Sequence, residues 1–241
     1  MASSTELIAI LGGMGPLASA AFLSTVYERT TSRREQDMPR VMVWSDPTLP
    51  DRTTALRDGR GDLLAQAVQC AMEQCERAGA TQFVICCVTA HAVMPLLPAS
   101  LRSRTVSLVD LLLGAVIERQ VPQLVCSSSG TREARVLERH PLWPQARPWL
   151  RWLDDHEQAR MHQALYAIKL RGTPADAAAL IEPLVHTYGV RSFVAACTEL
   201  HLLTRYWAGA PPVEWIDPLD LAADRLIAPH PDVVPMPTEA S

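Results

Sequence analysis

Two cysteines of this chain stand in matching company. Cys87 lies in Phe83-Val-Ile-Cys-Cys-Val-Thr-Ala-His91 and Cys197 in Phe193-Val-Ala-Ala-Cys-Thr-Glu-Leu-His201. Each ends a short apolar, β-branched run and is trailed by Thr and His, and the two are 110 residues apart. The thiolate is the reactive form of cysteine, and its pKa, about 8.5 when free, is readily tuned by its surroundings. Two thiols facing each other across a cleft suit one task well. One removes a proton from one face of a carbon and the other returns a proton to the opposite face, with no cofactor and no metal. A helix starting just after each Cys supplies partial positive charge and free N–H groups for a substrate carboxylate. Thr89 and Thr198 are the accompanying hydroxyls, with Thr131 in support. Glu199, two residues after Cys197, would raise that thiol's pKa rather than lower it, so its expected role is to orient a donor. His91 and His201 each fall four residues after a Cys, within reach of a group one turn away.

The elements that must position these residues alternate. Leu7–Leu11 reads as a strand, Gly12-Gly-Met-Gly15 as a turn, and Pro16 opens a helix, a favoured place for proline. Val41–Trp44 is a second strand, and a long loop runs through Pro50-Asp-Arg-Thr53. A helix over about 63–77 precedes the strand ending at Cys87, a short helix is expected near His91–Met94, and 105–109 reads as another strand. The second half repeats the theme, with a helix near 111–119 and a strand over 123–127. Ser128-Ser-Gly-Thr131 then leads into a helix. Helices near 157–170 and 175–188 precede the strand to Cys197, and a last strand ends at Ile216. A helix over about 218–227 closes the pattern. Strands alternating with helices predict an α/β fold of two pseudo-symmetric halves, each a mostly parallel sheet flanked by helices, with the site in the cleft between them. The expected division is 1–110 and 111–217, with the 218–227 helix packing back on the first half and 228–241 as a loose tail. Cys86 and Cys87 cannot face the same way, because strand side chains alternate. Cys70, Cys75 and Cys126 read as ordinary packing residues. Trp143, Trp149 and Trp152 read as a satellite cluster.

Composition narrows the function. The 241 residues are 48% hydrophobic and 20% charged with a net charge of −4, which supports a real core and argues against disorder and nucleic-acid binding. No apolar run is long enough to cross a bilayer, and the N-terminus lacks the basic flank of a signal peptide, so a cytoplasmic protein is expected. Gly13-Met-Gly-Pro-Leu-Ala18 formally fits a dinucleotide fingerprint, but Pro16 removes a needed N–H and no acidic residue closes the second strand. Gly13 and Met14 are better read as the floor of a carboxylate site.

Taken together, the Leu-Gly-Gly-Met-Gly-Pro-Leu-Ala opening, Gln36-Asp-Met-Pro39, Pro50-Asp-Arg-Thr53, the Cys87–His91 segment and Cys197-Thr-Glu-Leu200 resemble the pyridoxal-phosphate-independent aspartate/glutamate racemase family over about residues 7–225. The resemblance implies racemisation of an acidic amino acid by Cys87 and Cys197, a homodimer, and no cofactor. It implies that Arg52 binds the substrate's side-chain carboxylate and that Lys169, in Ile168-Lys-Leu-Arg-Gly172, assists it. Two departures stand out. Val88 replaces the family's usual Asn, which suggests a drier pocket, and Ala196 and His201 stand where Gly and Pro are common. Alternatives are a decarboxylase or cis–trans isomerase of a small dicarboxylic acid, or a catalytically silent small-acid-binding homologue.

Overall fold

The computed structural model describes residues 6–32, 34–171, 173–209 and 211–227; the expected 228–241 tail lies outside them. In the first half β1 (Leu7–Gly12) is followed by α1 (Pro16–Arg29), β2 (Arg40–Ser45), α2 (Arg52–Arg57), α3 (Gly61–Arg77) and β3 (Gln82–Ile85). A 3-10 helix over Thr89–Leu96, α4 (Ala99–Arg102), β4 (Thr105–Val106) and α5 (Leu108–Arg119) complete it. The second half runs β5 (Gln123–Ser127), α6 (Ser129–Glu133), α7 (Trp143–Ala146), β6 (Leu150–Trp152), α8 (Asp155–Arg171), α9 (Ala175–Thr187), β7 (Ser192–Ala196), α10 (Leu200–Trp207), β8 (Glu214–Ile216) and α11 (Pro218–Ile227).

The described residues form two four-stranded sheets with the orders β2-β1-β3-β4 and β6-β5-β7-β8, every pairing parallel. The two orders are the same order, which makes β1 equivalent to β5 and β3 equivalent to β7. Alternation along these strands sorts the side chains into three cores. Ile10, Val84, Cys86, Val125, Val194 and Ala196 point into a core shared by both halves and closed by α1, α5 and α11. Ala9, Leu11, Phe83, Ile85 and Cys87 point to the opposite face of the first sheet. Leu124, Cys126, Phe193, Ala195 and Cys197 do the same in the second. The two site cysteines therefore occupy equivalent faces at equivalent strand ends, while Cys86 is turned into the shared core. The helix α11 packs on α1 and α5.

Several local expectations are corrected. The strand at Thr105 stops at Val106, because the Ser107 hydroxyl accepts from Asp110 N–H and caps α5 three residues before the expected start. The Pro50-Asp-Arg-Thr53 loop ends in a helix: the Asp51 side chain accepts from Thr54 N–H at 2.9 Å and caps α2, so Arg52 is its first residue. Cys70 is exposed and is not a packing residue, unlike Cys75 and Cys126. The three tryptophans are not a separate cluster; they pack on the shared core, Trp143 and Trp152 with ring centres 6.4 Å apart.

Candidate active site

In open parallel sheets a ligand crevice forms beyond the carboxyl ends of the strands where the strand order reverses. Here that point lies between β1 and β3 in one sheet and between β5 and β7 in the other. The loops at these points are Gly12–Pro16, Cys87–Thr89, Ser127–Thr131 and Cys197–Glu199. Side chains join them across the halves. The Thr89 hydroxyl lies 2.8 Å from Thr131 Oγ1 and 3.1 Å from Ser128 Oγ. The Thr198 hydroxyl donates to the Cys86 carbonyl at 3.2 Å. The expected substrate hydroxyls thus hold the two halves in register.

Both thiols are buried, each 5% exposed. Cys197 Sγ donates to Glu199 Oε2 at 2.9 Å. Burial pushes the Cys197 thiol well up, the Glu199 charge pushes it further, and the Lys169 charge opposes both. Glu199 Oε1 is buried with no hydrogen-bond partner, and Lys169 Nζ stands 4.0 Å from it. Lys169 Nζ also lies 4.3 Å from the centre of the Tyr166 ring, a cation–π contact. Burial opposes the Lys169 charge, but Glu199, Cys197 and Cys87 outweigh it and hold the amine charged.

Arg52 is 8% exposed. Its Nη2 donates to the Met14 carbonyl at 3.0 Å and its Nη1 to the Pro50 carbonyl at 3.1 Å, while the buried Nε–H has no partner. Desolvation is again outweighed, by Cys87 first and then Asp51 and Glu199, so the guanidinium stays firmly charged. Met14 contributes this carbonyl while its own side chain is fully buried in the first-half core. Gly13 has φ of +87°, and a Cβ there would meet the Asp46 backbone at 2.3 Å, so the turn admits only glycine. A Cβ on Gly15 would lie 2.6 Å from Glu199 Oε1, which shows how closely the first-half turn covers the second-half carboxylate.

Further bonds clasp the cleft. Tyr166 donates from its hydroxyl to Asp51 Oδ2 at 2.9 Å, Arg57 pairs with Glu133 at 2.9 Å, and Gly130 lies so close to Thr53 that a Cβ would meet its Oγ1 at 2.4 Å. Sequence reading missed Tyr166 and Asp51. Their signals were present: Asp51 adjoins Arg52, and Tyr166 precedes Lys169 by three residues, on the same helix face.

The two histidines stand behind the site. Leu108 N–H donates to His91 Nε2 at 3.1 Å, which places the ring proton on Nδ1, where it donates to the Cys87 carbonyl at 2.9 Å. Burial brings His91 down to about 4, so it is neutral and ties Cys87 to the start of α5. His201 is fully buried, with Nδ1 2.7 Å from Asp217 Oδ2 and Nε2 2.8 Å from Thr25 Oγ1, and it anchors α10 to α1 and α11. Val88, expected to dry the pocket, has its side chain in the shared core with Cys86, in a different cluster from either site thiol.

The resulting arrangement is a pair of buried thiols at equivalent strand ends, accompanied by the buried Arg52, the half-buried Lys169 and the buried Glu199 carboxylate. The chain matches the family model for Asp/Glu/hydantoin racemases over residues 11–226 and belongs to that family. Among solved structures it is similar to an aspartate racemase from Picrophilus torridus, at 21% identity and a TM-score of 0.75, covering 92% of this chain and 94% of that one. It is also similar to a glutamate racemase from Campylobacter jejuni, at 17% identity and 0.62, covering 91% and 84%. An allantoin racemase from Klebsiella pneumoniae matches at 12% and 0.50, covering 92% and 86%. At these identities the likeness speaks for the fold. Among the described residues no helix is long and apolar enough to cross a membrane.

Proposed function

We propose that the protein racemises an acidic amino acid, aspartate or glutamate, with Cys87 and Cys197 exchanging the α-proton on opposite faces, and that it works as a homodimer. The observation that carries this reading is the placement of two buried thiols at equivalent ends of equivalent strands, with the charged Lys169 and Arg52 in the same site. A carbanion forming between the thiols would meet fixed positive charge, and preorganised charge of this kind stabilises a transition state at no reorganisation cost.

The unpartnered groups match a zwitterion. Arg52 Nε offers a buried donor to a carboxylate, and Glu199 Oε1 offers a buried acceptor to an ammonium group. Buried polar atoms without partners are rare and costly, so a ligand that satisfies both gains binding energy. In one direction of reaction Cys197 delivers its proton as the acid while Glu199 holds the thiol in line. In the other direction its thiolate removes the proton. Val88, by its place in the shared core, gives no support to a decarboxylase with a dry pocket.

The test is to incubate the reduced protein separately with L- and D-aspartate and L- and D-glutamate and to resolve the enantiomers by chiral chromatography. The expected result is approach to an equal mixture from both enantiomers of one substrate. Failure to interconvert any of the four would refute the proposal.

A further inference from the structure

A cavity of about 420 Å³ lies away from the thiols, walled by both halves. From the first half come the 3-10 segment around Met94, Arg102 of α4 and the start of α5; from the second comes the stretch from Ala134 to Pro141. Its size falls in the range of small-molecule sites, which are mostly apolar with a few convergent polar groups. Met94, Val109, Val136 and Pro141 supply the apolar wall. The polar groups do not balance. Asp110 is paired with His140 at 3.0 Å, whereas Arg102 donates only to the Pro95 carbonyl at 2.9 Å. Among the described residues the Arg139 guanidinium has no hydrogen-bond or ion-pair partner.

Two features connect this cavity to the site. His91 forms part of its wall, and the same ring holds the Cys87 carbonyl and the Leu108 N–H. A second cavity of about 180 Å³ shares Ala92, Ala134 and Arg139 with the first and reaches Thr53 and Gly130 at the cleft clasp. Arg139 therefore stands where the two cavities meet.

We propose that the larger cavity is an effector site for a small carboxylate with an apolar body, its carboxylate on Arg139 and its body against Met94 and Val136. Occupancy is transmitted through His91 to the peptide of Cys87. The transmission rests on the racemase reading; the binding does not.

The probe is 3-phenylpropanoate, with the neutral 3-phenylpropanamide as its control, titrated into the full chain by calorimetry and saturation-transfer NMR. The carboxylate should bind at least about tenfold more tightly than the amide, and Arg139→Glu, on an exposed side chain, should weaken it by a similar factor. Ala134→Trp, which fills the junction, should abolish binding, while saturating L-aspartate should leave it unchanged. Bound probe should alter kcat for α-proton exchange at least twofold in the native chain and not in Arg139→Glu. No binding, equal binding of the amide, insensitivity to Arg139→Glu, or displacement by aspartate would each overturn the site. Binding with an unaltered kcat would overturn the link through His91.

Discussion

The Cys197 thiol donates to Glu199 across 2.9 Å, two residues along the same turn, and the carboxylate's other oxygen is left without a hydrogen-bond partner at the cleft. In the proposed reaction this one carboxylate would serve both the thiol and the substrate's ammonium group.

Glu199→Gln keeps the shape and removes the charge. Because burial first and the Glu199 charge second raise the Cys197 pKa, while Lys169 lowers it, the variant's thiol should ionise at lower pH. Iodoacetamide alkylation of Cys197, followed by mass spectrometry against pH, should show its midpoint moving down. Turnover should fall by about a hundredfold, the scale of a positioned acid–base group. A midpoint that stays or rises would contradict the assignment.

Arg52→Lys preserves the charge but not the fork that reaches two carbonyls and leaves Nε for a ligand. We expect KM for the acidic substrate to rise at least about tenfold with a smaller change in kcat, the mark of lost ground-state binding. Leaving the Met14 or Pro50 carbonyl unsatisfied should cost about 1–3 kcal/mol in urea unfolding. A variant with native KM would refute the carboxylate role.

Gly13 and Gly15 separate stability from activity. Gly13→Ala meets both a positive φ and backbone at 2.3 Å, so a loss of at least about 2 kcal/mol is expected. The Cβ of Gly15→Ala clashes with the end of the Glu199 side chain, which can move aside, and touches Lys169 Cγ at 3.4 Å, an ordinary contact. It should lose less than about 1 kcal/mol yet reduce turnover clearly. Thermal unfolding and rate measurements on the two proteins should give opposite rankings of damage.

His91 sets an acid limit. Its folded pKa of about 4 lies below the ordinary imidazole value of 6.5, so as the pH falls through 6.5 the unfolded chain takes up a proton that the buried ring refuses. Stability from this group is whole above 6.5 and declines until about 4, by on the order of 3 kcal/mol. His91→Gln, less stable at neutral pH, should show a flatter decline across that window. An equally steep decline would place the acid sensitivity elsewhere.

Much of the fold was legible because buried parallel strands are near-continuous apolar runs, and the matched runs before Cys87 and Cys197 revealed the two halves. The strand β6 escaped because Leu150-Arg-Trp152 is three residues long and carries a charge, and α2 because six residues after Pro50 read as loop. Val88 shows a different limit. It lies on the shared-core face of Val84 and Cys86, as the alternation of the run from Phe83 implies, and reading it as a pocket residue set that alternation aside. Arg52, Lys169 and Glu199 could be named from the chain; that Tyr166 sits beneath Lys169 and bonds Asp51 required the packing of α8 across the cleft.

The central claim is that two thiols act on opposite faces of one carbon. We would follow α-proton exchange of L- and D-aspartate and L- and D-glutamate by NMR in D2O, with the native protein, Cys87→Ser and Cys197→Ser. The account predicts deuterium incorporation with inversion in the native protein for at least one of the two amino acids, and loss of inversion in both variants. Inversion surviving the loss of either thiol would contradict it, as would a native protein that exchanges no α-proton.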